Sequence, residues 1–133
     1  MNTRDQFIQE FRGIINGISI NQSTPEESFQ NEILRPILKL QNEIICSFFE
    51  HYLKLNKIDF NNFSSDKKIK TIDNAVFKDP KFRNTIKGIV ISLFTIPELE
   101  IYTNNSSNLN KRMMSMLVER LKSQFIIIDK SNI

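Results

Sequence analysis

The side chains best suited to proton transfer, metal ligation or nucleophilic attack are few: one histidine, His51, and one cysteine, Cys46. A single histidine removes every catalytic or metal scheme that needs two. A single cysteine excludes an internal disulfide framework and any multi-thiolate zinc or iron–sulfur site. Cys46 falls near the polar side of its helix, with no second histidine or basic residue at helical spacing to lower its pKa, so little marks it as a nucleophile. The more telling residues are polar ones that interrupt apolar helical arcs. At 100° per residue Gln41 projects into the middle of one arc and His51 onto its edge, near Leu40 and Ile44. Arg83 falls between Val90 and Phe94, and Asn110, Arg120 and Gln124 intrude on the apolar side of the last helix. Buried polar groups need partners. The plainer reading is that Gln41, His51, Arg83, Asn110 and Arg120 bond helix ends and loop carbonyls. The sharper one is an inter-helix pocket for a small anionic or polar ligand, clamped by Arg83 and Arg120. No acid–base pair, nucleophile–base pair or phosphate loop can be read from spacing, so the residues call for no cofactor and no metal.

The elements that would position these residues read as helices. The 133 residues are 40% hydrophobic and 25% charged, enough apolar content for one domain with a real core. Three glycines and four prolines argue against a turn-rich β-sandwich. In the first segment Phe7, Ile8, Phe11, Ile14, Ile15 and Ile18 recur at helical spacing, with Thr3 as cap and fraying from Gly17; 16–23 reads as a loop. Thr24-Pro25-Glu26-Glu27 is a strong helix start, with Thr24 as cap and Glu27 completing a capping box. The helix that follows runs to about Asn56, with Ile37, Ile44, Ile45, Phe48 and Tyr52 on one arc. Pro36 predicts a kink or break within it, with Arg35 out of helical geometry.

Ser64 or Ser65 then caps a short helix carrying Ile69, Ile72, Val76 and Phe77. Asp79-Pro80 opens another through Phe94, Thr95-Ile96-Pro97-Glu98 a short turn through Tyr102, and Ser106 or Ser107 the last, through about Ile127. The expectation is an all-α single domain, a compact bundle of about five helices. Thr85, Gly88 and Ser92 form a small-residue stripe that suits either close intrachain packing or a dimer seam. Met113, Met114 and Met116 read as plastic core.

Partners follow from charge and hydropathy. Residues 1–64 hold six Lys/Arg against eight Asp/Glu, and residues 65–133 twelve against seven. That basic second part suggests an anionic partner. Against nucleic acid, the lysines are interleaved with Asp73, Asp79 and Glu119, and the phenylalanines sit on core-periodic positions where no base could stack. A solvated basic face is the simpler reading, and nucleic acid comes third. No apolar run reaches the ~20 residues needed to cross a bilayer, the longest being Gly88 to Phe94 and Phe125 to Ile128. The N-terminus has no continuous apolar core of the signal-peptide kind. These features predict a cytoplasmic protein with a reduced thiol and no membrane partner. The leading functional expectation is a non-catalytic interaction or assembly module, self-associating through an exposed small-residue or aliphatic helix face.

Three stretches carry a resemblance: Phe29-Gln30-Asn31-Glu32-Ile33-Leu34-Arg35-Pro36-Ile37-Leu38-Lys39, Lys81-Phe82-Arg83-Asn84 with Lys87-Gly88, and Asn110-Lys111-Arg112-Met113-Met114. Together they resemble a group of small bacterial all-helical proteins, some of which carry the name glyoxalase, over about residues 25 to 125. The resemblance implies that the Arg35-Pro36 kink and a helix start at Asn110-Lys111-Arg112 define the fold. The name implies metal-dependent chemistry on βαβββ modules. Here strands are missing, and His51 has only the adjacent Glu50 and the distant Glu43, neither at i, i+3 or i+4 spacing.

Overall fold

The computed structural model describes residues 2–13 and 24–126. The proposed loop at 16–23, the apolar residues Ile14, Ile15 and Ile18, and the end of the last helix at Ile127 lie outside the described residues. The fold is all-α, with no strand among the described residues. In order come α1 (Thr3–Arg12), α2 (Pro25–Phe29), a π-helical turn (Gln30–Leu34), α3 (Arg35–Leu40), α4 (Asn42–Leu55), a 3-10 turn (Phe60–Asn62), α5 (Ser65–Lys78), α6 (Pro80–Ile91), α7 (Ile96–Asn104) and α8 (Ser106–Phe125).

The helix starts follow the capping chemistry of the sequence. Thr24 Oγ1 accepts from Glu27 N at 3.1 Å and Ser64 Oγ from Lys67 N at 3.2 Å. Asp79 Oδ1 accepts from both Lys81 N and Phe82 N. Thr95 and Glu98 form the full reciprocal capping box. At α1 the cap is Asn2 rather than Thr3, its side chain accepting from Asp5 N at 2.7 Å. The helix stops at Arg12 because Gly13 takes φ +76°, a left-handed conformation that glycine adopts without strain.

Pro36 does not break its helix. A proline inside a helix gives no N–H to the carbonyl four residues back and crowds it. The chain meets this with the π-helical turn just before it, where the Arg35 N–H reaches back to Gln30 O, and Arg35 keeps helical angles of −62° and −47°. The interruption falls later, at Gln41, with φ −92° and ψ 11°. A single helical wheel drawn across that point is therefore out of phase beyond it. Ile44, placed on the apolar arc by the continuous wheel, is 55% exposed, and the buried residues of α4 are Ile45, Phe49 and Leu53.

The chain divides into two compact units, Met1–Gln41 with Lys87–Met113, and Asn42–Ile86 with Met114–Ile133. The first is built around Phe29, Leu34, Ile37, Leu38, Val90, Phe94, Leu109 and Met113, all buried. Phe29 meets Phe94 edge to face at 5.5 Å, and Arg112 Nη1 donates to Gln30 Oε1 at 2.7 Å. The second is built around Ile45, Phe49, Ile72, Val76, Phe82, Ile86, Leu117 and Leu121. Its aromatic centre is Phe49, with the rings of Phe60, Phe82 and Phe125 at 5.7, 6.0 and 4.9 Å. Met113 and Met114 are core residues, as their spacing implies.

The small-residue stripe packs against no other helix among the described residues. Thr85, Gly88 and Ser92 are exposed, and a Cβ built on Gly88 meets nothing within 4 Å. Gly88→Ala is therefore expected to stabilise the protein by about 0.5–1 kcal/mol through helix propensity alone. A urea midpoint that falls in this variant would show that the small residue is needed for contact.

Candidate functional site

The five polar residues singled out by the sequence are held by separate partners. In the first unit Gln41 ends α3, its N–H donating to Ile37 O at 2.9 Å. Asn110 Oδ1 accepts from the Tyr102 hydroxyl, α8 to α7. In the second unit Arg83 Nη1 donates to Phe77 O at 3.1 Å, satisfying a carbonyl of the last turn of α5. Arg120 Nη1 donates to Asn42 Oδ1 at 3.2 Å. His51 is exposed and stacks on Phe48, centroids 6.0 Å apart. For Arg83 the structure thus supplies a helix-end bond of the plain structural kind. Asn110-Lys111-Arg112 lies in the second turn of α8, which starts at Ser106.

Cys46 is half-buried. Burial pushes its thiol above the ordinary value; the Arg120 guanidinium pulls it back in part, and Glu50 adds to the rise. The thiol is thus protonated at neutral pH, and a thiolate nucleophile is not poised there. No group of three or more His, Cys, Asp or Glu side chains that could hold a metal occurs among the described residues.

The second unit has a cleft of about 350 Å³ lined by Glu50, Leu53, Lys54, Ile58, Asp59, Phe60, Asn61 and Phe125. None of the five candidate residues lines it. Its lining combines four apolar side chains with two carboxylates, one ammonium and one amide, an arrangement that suits a small polar ligand better than a simple anion.

The least expected arrangement is on α1. Its anchoring side chains are charged, at positions 4, 5 and 12, one helix face. Arg4 donates to the carbonyls of Ser92 and Phe94, both at 2.9 Å. Arg12 Nη1 donates to Leu93 O at 2.9 Å, and its guanidinium forks onto both carboxylate oxygens of Glu98, with Nη2 to Oε2 at 2.8 Å. Asp5, 2% exposed, accepts the Ile96 N–H at 3.1 Å and so places a carboxylate at the N-terminus of α7. Together these charges satisfy the carbonyls and N–H groups left open where α6 ends and α7 begins. Ile8 is the one apolar residue of the helix that is buried. Phe7 and Phe11 remain 64% and 55% exposed, stacked at 6.1 Å with planes 10° apart.

Helical spacing groups Phe7, Ile8 and Phe11 and marks Glu98 as the acid of a capping box, but it does not single out Arg4, Asp5 or Arg12, nor pair Arg12 with Glu98. The signal was present in the helical spacing of residues 4, 5, 8 and 12, but charges at that spacing ordinarily face solvent. No helix among the described residues is long and apolar enough to cross a membrane. Compared with protein-family models, with curated proteins and with solved structures, the chain matches none.

Proposed function

We propose that the chain is a non-catalytic interaction and assembly module of the cytoplasm, self-associating through the aromatic face of α1. The observation that supports this reading is the exposed Phe7–Phe11 stack on a helix that Arg4, Asp5 and Arg12 tie to the α6–α7 turn. Two large aromatic rings left in water on an anchored helix gain most by meeting apolar surface, and a second copy offers the same pair across a two-fold axis. The single half-buried thiol suits a reducing compartment.

Native mass spectrometry across a concentration series, on protein purified without added ligand, tests it. Dimer should grow with concentration for the wild type and vanish in Phe7→Ser/Phe11→Ser, with the helical circular-dichroism signal unchanged because both residues are exposed. A wild type that stays monomeric at every concentration sinks the reading. The same spectrum reads the alternative, a small polar ligand in the cleft beside the 3-10 turn: a monomer carrying a defined added mass would favour it.

A further inference from the structure

The helix α5 turns one face inward and presents a different chemistry outward. Ile72, Ala75 and Val76 are fully buried. On the opposite side, within an arc of about 100° by helical spacing, lie Lys67, Lys70, Asn74, Phe77 and Lys78, all exposed. No carboxylate falls on that arc. Asp66 sits at its N-terminal edge, and Asp73 lies toward the flank, where Lys122 Nζ stands 3.8 Å away. Lys70 and Lys78 enter no ion pair among the described residues, nor does Lys81, which follows exposed at the start of α6. Lys67 rests over the Phe63 ring at 4.1 Å. From Lys67 to Lys78 the helix rises about 16 Å, so the ammonium groups form a row rather than a point.

Phe77 decides what kind of anion fits. Two sequence features speak against nucleic acid: the lysines are interleaved with Asp73, Asp79 and Glu119, and phenylalanines at core-periodic positions cannot stack on bases. Phe77 is 51% exposed, beside Lys78 and one turn from Asn74. We infer that the outward face of α5 docks single-stranded nucleic acid without sequence preference, Lys67, Lys70 and Lys78 neutralising successive phosphates and Phe77 stacking on one base. An anionic membrane fits less well, because a helix lying in a bilayer interface inserts a broad apolar face, and that of α5 is spent inside the unit. This inference stands apart from self-association, which involves α1.

Fluorescence anisotropy of a fluorescein-labelled oligothymidine titrated with the whole chain tests it. At low salt binding should be detectable, with a log–log salt slope of about −2, as three neutralised phosphates on a single strand give. Lys70→Gln/Lys78→Gln should bring the slope to about −0.7. Phe77→Ala should weaken binding about tenfold while leaving the slope in place. All three side chains are exposed, so these variants keep the fold. No binding at low salt overturns the inference, as does binding that the lysine pair leaves unchanged. A duplex bound as tightly as the single strand, with Phe77→Ala without effect, overturns the single-strand assignment. Sedimentation with phosphatidylserine vesicles in place of oligothymidine binding would assign the face to a membrane instead.

Discussion

Glu98→Ala should lower the stability of the protein by about 3 kcal/mol, a fall of roughly 10 °C in Tm for a chain of this size. The side chains of Arg12 and Glu98 are only 7% and 12% exposed, and the guanidinium forks onto the carboxylate. Removing the acid leaves a buried cation with Leu93 O as its remaining partner and strips the reciprocal half of the α7 capping box. The cost is that of an orphaned charge, so Arg12→Met/Glu98→Met should cost clearly less than the sum of the single changes.

The pair also sets an acid dependence. Burial alone raises the Glu98 carboxyl. The bonds from Arg12 and from the Thr95 N–H, with the guanidinium charge, carry it below its ordinary value of 4.5. A carboxyl depressed in the folded state contributes stability that is whole above the ordinary value and is lost as pH falls through the lower folded one. Calorimetric melts from neutral to acid pH should thus show a steeper decline for the wild type than for Arg12→Ala. Parallel curves, or a Glu98→Ala variant as stable as the wild type, would mean that the fork does not hold α1.

In the second unit, Phe49→Ala should cost about 3–5 kcal/mol, against a total stability of roughly 5–15 kcal/mol. Phe49 is fully buried and its ring meets three others within 6.0 Å. Truncation removes the shared member of that cluster, and neighbours on three different elements cannot collapse into the space together. Ile44→Ala, five residues earlier on the same helix, should change stability by no more than about 0.5 kcal/mol, since Ile44 is mostly in water. Urea midpoints at constant slope read both. Equal losses at the two positions would put the helix back in the phase of the uninterrupted wheel.

That pair of variants also marks where the sequence was readable and where it was not. Caps are local chemistry, a side chain reaching a backbone N–H three residues on, so Thr24, Ser64, Asp79 and Thr95 announce their helices without tertiary context. Phase is cumulative. One irregular residue, Gln41, shifts every later side chain, and neither the π-helical turn that accommodates Pro36 nor the interruption after it carries a one-residue signature. Gln41 and His51 lie on that wheel, which is why they read as intrusions into an apolar arc. Gln41 is the helix end itself, and His51 is exposed. The charged residues of α1 failed to stand out for another reason. Their partners lie some eighty to ninety residues away along the chain, and no local pattern tells a charge that caps a distant turn from one that faces solvent.

Because each compact unit takes one piece from either side of the other in the chain, synthesis and folding are out of step. When residue 41 is added to the nascent chain, Phe29 is present but Phe94, the ring it will meet, is several seconds from being made at about 5–20 residues per second. The apolar side of α2 and α3 therefore waits uncovered through the synthesis of the whole 42–86 stretch. Any chain released in that interval carries neither unit complete, and no contiguous gene fragment could transplant one of them into another protein.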